Sequence, residues 1–164
     1  MKKIILIAVA VLGFAVTASA QNFAVGARLG SGFQAQAEYS YNGSNYFEGR
    51  LGMNWSNTAG ILLTADFTAL HNWNIFNMDW TPSFGKWFFD AGAGFSIGGR
   101  ENLVNIGVAG CAKLGVKLNS IPLKLALDFT PVFGPSILYF GSEYGAAFNE
   151  YNIANLGLSV VYNF

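Results

Sequence analysis

From residue 22 onward, apolar residues alternate with polar or small ones at a period of two, the spacing of side chains on opposite faces of a β-strand. Residues 22–30 set Phe23, Val25, Ala27 and Leu29 against Ala24, Gly26 and Arg28. Residues 32–41 give the cleanest repeat, with Phe33, Ala35, Ala37, Tyr39 and Tyr41 opposite Gln34, Gln36, Glu38 and Ser40. The pattern continues through 45–54, 59–69, 86–97, 104–117 and 122–130. It closes over 154–164, where Ala154, Leu156, Leu158, Val160, Tyr162 and Phe164 form one stripe. Gly30-Ser31-Gly32, Asn42-Gly43-Ser44, Ser56-Asn57-Thr58 and Asn119-Ser120 read as turns, and 98–103 as a polar loop. Two stretches break the alternation. Residues 70–83 carry His71, Trp73, Phe76, Trp80 and Pro82, and 131–152 reads as a long aromatic loop. The count is eight strands, with ten as the alternative if 70–83 hides further strand.

An even number of strands, an apolar stripe on each and a last strand ending on aromatics predict an all-β fold. The expected architecture is a closed antiparallel up-and-down transmembrane β-barrel of eight strands. A closed barrel has a reason to end on an apolar strand, because that strand pairs with the first. With both ends of the barrel chain in the periplasm, the loops near 30–32, 55–58, 98–103 and 131–152 are expected outside the cell.

The first twenty residues stand apart. Lys2 and Lys3 precede an apolar run over 4–16, and Ala18-Ser19-Ala20 has the form of a cleavage site. The run is too short for a spanning helix. A cleaved signal peptide over 1–20 and one barrel domain over 21–164 are therefore expected, exported to the bacterial outer membrane.

Composition supports that compartment. Without Lys2 and Lys3 the nine basic residues fall to seven against nine acids, a balance that indicates no nucleic-acid partner. Charged residues make up only 11% of the chain and aromatics 16%, yet no later apolar run reaches helix-spanning length. Cys111 is alone, so no disulfide framework is possible within the chain.

Alternation by itself does not distinguish a membrane barrel from a secreted lipocalin-like carrier, whose apolar stripe faces inward. The polar stripe here is rich in small residues and holds almost every strand charge. That suits a crowded interior. The expected lumen network comprises Arg28, Glu38, Glu48, Arg50, Asp66, Lys86, Asp90, Lys113, Lys117, Lys124 and Asp128. Eight strands leave room only for side chains, and buried charges are costly unless paired. A plugged, ion-paired lumen follows, with a narrow conduit for small solutes or hydrophobic molecules as the alternative. Leu62, Phe88 and Val161 are the large apolar residues on the inward stripe that such a conduit would use.

Chemistry is sparse. His71 is the only histidine, so it has no partner for a triad or a His-based metal cluster. Ser83-Phe84-Gly85-Lys86 matches S-x-x-K but lacks the companion motifs. Cys111 has no strand histidine to activate it. No enzyme activity, cofactor or metal is expected. The external segment 131–152 offers Phe133, Tyr139, Phe140, Tyr144, Phe148 and Tyr151 beside Glu143 and Glu150, either to a surface partner or as a cap over the barrel mouth.

Alternating Leu158, Val160 and Tyr162 ending on Phe164 resemble the assembly signal of bacterial outer-membrane barrels. The chain as a whole is similar to the small eight-stranded barrels of the OmpX and OmpW type. The pieces that carry this are 25–32, Phe47-Glu48-Gly49-Arg50-Leu51-Gly52 and the run 121–131. The resemblance implies outer-membrane lipid and the barrel-assembly machinery as partners. It implies little about activity, since such barrels serve many roles.

Overall fold

The computed structural model describes residues 22–56, 62–140, 143–149 and 153–164. The leader expected over 1–20 lies outside them. Ten strand segments follow in order: β1 (Phe23–Leu29), β2 (Gly32–Ser40), β3 (Asn45–Ser56), β4 (Leu62–Thr81), β5 (Gly85–Arg100), β6 (Leu103–Leu118), β7 (Leu123–Phe129), β8 (Val132–Phe140), β9 (Glu143–Asn149) and β10 (Leu156–Asn163). Every pairing is antiparallel, β5 pairs β6, and β10 pairs both β7 and β1, so the sheet closes on itself.

Ten segments make eight staves. β7 and β8 both pair with β6 in one unbroken register, Phe129 opposite Ala112 and Val132 opposite Ala109. Only Thr130 and Pro131 interrupt them. Proline has no N–H to donate, but the Pro131 carbonyl still accepts from Gly110 N at 3.0 Å. β9 and β10 form the last stave in the same way, on β8 and β7 respectively. Five steps separate Phe129 from Gly134, and seven separate their partners Leu156 and Asn149.

Three expectations are corrected here. Residues 70–83 are not a break: β4 runs through them to Thr81 and turns back at 82–84. The alternation lapses because the register with β5 shifts between Asn74 and Phe76 and again between Met78 and Thr81. Each irregularity moves the period out of phase. Within 131–152 the described residues 132–140 and 143–149 are likewise not a loop, because they form β8 and β9, paired with Phe140 opposite Glu143. The 98–103 loop shrinks to a tight turn between Arg100 and Leu103.

The turns match their residues. Gly43 has φ of +75°, and the Asn42 side chain accepts from the backbone N–H of Asn45 at 2.7 Å. A rung followed from Gly26 to Val161, Lys124, Lys117 and Lys86 reaches the lower end of the barrel before it returns to β1. That stagger is the shear of tilted strands in a closed barrel.

Candidate functional site: the charged lumen

The two stripes face opposite ways. Leu29, Phe33, Phe47, Leu51, Phe95, Leu127, Leu158 and Val160 are exposed on the outside. Arg28, Gln34, Glu38, Glu48, Arg50, Asp66, Asp90, Lys113, Lys124 and Asp128 are buried inside. Burying so many charged groups is tolerable only if each finds a partner.

Seven of them form one chain of alternating sign. Arg28 on β1 grips Asp128 on β7 through Nε, 2.9 Å from each carboxylate oxygen. Asp128 Oδ1 also meets Arg50 Nη1 at 3.3 Å, and Arg50 Nε lies 2.5 Å from Glu48 Oε1. Glu48 Oε2 receives Lys113 Nζ at 2.7 Å from β6. Lys113 stands 3.6 Å from Glu38 Oε1 on β2, whose other oxygen pairs with Lys124. The order is therefore Arg28, Asp128, Arg50, Glu48, Lys113, Glu38, Lys124. No charge in it has a like charge for a direct neighbour.

Neutral side chains extend the chain at both ends. Arg28 Nη1 donates to Gln34 Oε1 at 3.2 Å, and Gln34 Nε2 donates to Asp66 at 2.5 Å. Arg28 Nη2 also reaches Asn155 Oδ1 at 3.0 Å. Thr130 Oγ1 accepts from Arg50 at 2.9 Å and donates to Asp128 at 2.9 Å. Lower down, the Tyr46 hydroxyl donates to Asp90 Oδ2 at 2.8 Å, and Asn74 Nδ2 holds Oδ1 at 2.8 Å. Lys124 Nζ sits 4.5 Å from the Tyr46 ring centroid and 5.7 Å from that of Phe88, a cation–π floor beneath the ion pairs.

Two residues of the expected network are elsewhere. Lys86 and Lys117 are exposed near the lower ends of β5 and β6. The stripe is inward there too, but the barrel ends and their ammonium groups reach out, with Lys117 Nζ 5.7 Å from the Phe88 ring centroid. Of the apolar inward residues, Phe88 and Val161 are fully buried, while the Leu62 side chain lies outside what is described. Sequence reasoning missed Leu70, which joins Ala109, Cys111 and Val132 in a small apolar cluster inside the barrel. Its alternation with Thr68 and Asn72 was the signal. Glycines make room for this packing. A Cβ at Gly157 would strike the Arg28 guanidinium, and one at Gly115 would strike the Phe88 ring.

The outer features are sorted by stave. Phe133, Tyr139, Tyr144 and Phe148 are exposed on the β8–β9 hairpin, with Tyr144 and Phe148 at 78% and 80% exposure. Tyr144 and Phe148 stand opposite Tyr139 and Pro135 of β8 in that order. Phe140 belongs to β8, and Tyr151 and Glu150 lie outside the described residues. Leu158, Val160 and Tyr162 are exposed along β10, and Phe164 just past its end is exposed as well. His71 faces outward in an aromatic cluster, its Nε2 2.8 Å from the Tyr41 hydroxyl and its ring 4.6 Å from Trp73. Cys111 is buried, with Arg50 Nη2 3.8 Å from its sulfur. Among the described residues, no three His, Cys, Asp or Glu side chains stand close enough to hold a metal ion.

The arrangement ties staves to one another across the lumen and leaves an apolar outer surface. No protein-family model, curated protein or solved structure matches the chain.

Proposed function

We propose that this protein is an integral, non-enzymatic barrel of the bacterial outer membrane, plugged by ion pairs, with a structural or surface-interaction role. The observation that carries this reading is the sidedness of the closed barrel. Its outer surface presents Leu29, Phe33, Phe47, Leu51, Phe95, Leu127 and Leu158, while four bases and five acids are buried within. A water-soluble carrier of the same topology would be built the other way round, with its apolar stripe around a ligand. A surface groove lined by Phe23, Tyr39, Phe47 and Phe95 over Ala37, Gly49 and Ala69 is of the kind a lipid chain covers. Trp80, outward near the end of β4, and Trp73, outward level with the start of β3, suit an interfacial aromatic belt.

In this reading outer-membrane lipid is the partner of the apolar surface. The β10 stripe ending on Phe164 addresses the assembly machinery, and the β8–β9 hairpin projects outside the cell. The lumen favours a plug over a conduit, since Phe88, Tyr46 and the alternating charges occupy it.

The test is heat modifiability of the purified full chain in detergent. A closed membrane barrel migrates as a compact species unboiled and shifts on boiling, and it needs detergent to stay dispersed. A monodisperse, detergent-free protein with no shift on boiling would overturn the reading. Planar-bilayer recording separates the conduit, because the plugged barrel carries no steady current.

A further inference from the structure

The groove on the outer wall has a polar end that the apolar face around it does not share. It measures about 450 Å³ and runs over β1 to β5, within the range of ligand pockets, roughly 300–1,000 Å³. Its floor follows one rung of the ladder, with Ala37 opposite Gly49, Gly49 opposite Ala69 and Ala69 opposite Phe95. Ala37, Gly49 and Ala69 are half-buried, whereas Leu51 and Phe67 on the rung above and Tyr39 and Phe47 on the rung below are exposed. Short side chains between long ones make the depression, with the strands fully paired beneath it. Glu38 and Glu48, at the same level, turn inward to Lys124 and Lys113 and leave no charge on the floor.

The rung below the floor carries the polar end. His71 stands there opposite Phe47, its ring 4.9 Å from that of Phe47 and 4.6 Å from that of Trp73. Its Nε2 lies 2.8 Å from the Tyr41 hydroxyl, and among the described residues neither side chain has another hydrogen bond. A neutral imidazole and a phenol bring two donor hydrogens between them, and this bond uses one. If the hydroxyl donates, the Nδ1 hydrogen is left over; if Nε2 donates, the hydroxyl hydrogen is left over. Either tautomer therefore leaves a donor beside an apolar groove. Trp73 comes next on the outward face of β4, opposite Asn45, where β3 begins. The donor thus sits towards the lower end of β3, and the apolar floor lies one rung further into the wall.

We propose that this groove seats one acyl chain of a phospholipid whose phosphate accepts from the His71–Tyr41 pair. The groove and the lipid have the same polarity along their length, acceptor oxygens against the spare donor and hydrocarbon against Ala37, Gly49 and Ala69. Phosphate is the stronger choice of acceptor because hydrogen bonds to charged groups exceed those between neutral ones.

The inference rests on the outer-membrane reading and narrows it to one lipid position. The full chain, delipidated in dodecyl maltoside, is titrated with palmitoyl-oleoyl phosphatidylethanolamine or with palmitoyl-oleoyl glycerol, which lacks the phosphate. Bound lipid is counted by native mass spectrometry. One phospholipid per barrel is expected to bind saturably, about tenfold or more tighter than the diacylglycerol. Gly49→Leu fills the floor and is expected to weaken both lipids by roughly tenfold or more. An added Cβ at Gly49 meets only the Phe67 ring, at 4.0 Å, so the wall can accommodate the change. The double variant Tyr41→Phe, His71→Phe is expected to collapse the preference for the phosphate-bearing lipid. Both changes are needed, because either alone leaves a donor on the other residue. Each variant is first checked for its shift on boiling. Unsaturable binding, or binding that Gly49→Leu leaves where it was, would overturn the proposal in favour of a non-specific lipid coat. Equal wild-type affinity for the two lipids, or a preference that survives the double variant, would also overturn it. A boiling shift without saturable binding refutes this inference and leaves the outer-membrane reading intact, whereas a detergent-free, monodisperse protein refutes that reading first.

Discussion

Lys113 on β6 reaches across the lumen to Glu48 on β3, its Nζ 2.7 Å from Oε2, and both side chains are fully buried. β4 and β5 lie between those staves, so the pair braces the barrel through its interior rather than around its wall. Glu48 serves two cations, Lys113 and Arg50, while Lys113 also has Glu38 within 3.6 Å.

Removing one member of a buried pair leaves an uncompensated charge, typically at a cost of about 3–5 kcal/mol. Glu48→Gln strips the carboxylate from both Lys113 and Arg50 and is expected to cost that much in urea unfolding followed by tryptophan fluorescence. Lys113→Met should cost less, because Glu48 keeps Arg50 Nε at 2.5 Å and Asn72 Nδ2 at 2.7 Å. The opposite order would show that the chain of charges is not organised around Glu48.

Gly157 faces the Arg28 guanidinium so closely that even a methyl group must displace it. That guanidinium is fixed by Asp128, Gln34 and Asn155 and has nowhere to swing freely. Gly157→Ala is therefore expected to destabilise by about 1–3 kcal/mol, the range for overpacking. Gly145, with nothing within 4 Å of the added Cβ, is the control. Gly145→Ala should stay within about 0.5 kcal/mol of the parent.

Phe164 touches little: its ring meets Tyr162 edge-on at 5.2 Å, and its backbone N–H donates to the Phe23 carbonyl at 3.1 Å. Phe164→Ala keeps that backbone bond. Its effect on the stability of refolded protein is expected to be below about 1 kcal/mol, as for other exposed positions. Its effect on the folded fraction recovered from cell membranes should be several-fold, if the terminal residue addresses the assembly machinery. Equal losses in both measurements would make Phe164 a packing residue only.

Trp73 and Trp80 are outward, and Trp87 packs on Trp80 with centroids 5.4 Å apart. In a Trp55→Phe background, their fluorescence should be quenched more by lipids brominated near the headgroup than by lipids brominated near the chain end. Stronger quenching by the deep label would place these tryptophans in the hydrocarbon interior.

Much of this architecture was legible in the chain because a two-residue period states which side of a strand each residue takes. Arg28 opposite Leu29, or Asp128 opposite Leu127 and Phe129, needed no structure to place them. The failures have physical causes. Register shifts after Asn74 and Met78 hid the continuation of β4, since an irregularity scrambles the period locally. Pro131 and the paired glycine and proline at 134–135 disguised β8 as a loop. The β8–β9 hairpin is exposed on both faces of β9, so no alternation marks it. The stripe also named the charges without ordering them. That Arg50 would meet both Glu48 and Asp128, or that Lys86 would escape the lumen, depends on the stagger of the staves.

The central claim is that the apolar face of this closed barrel meets lipid while its charged face is sealed inside. Nitroxide labels on single cysteines at Leu51, Leu127 and Leu158, in a Cys111→Ala background reconstituted into vesicles, test it directly. The account predicts that molecular oxygen relaxes these labels strongly and a water-soluble nickel chelate barely does. Strong relaxation by the chelate at all three sites would put water on the apolar face and contradict the account.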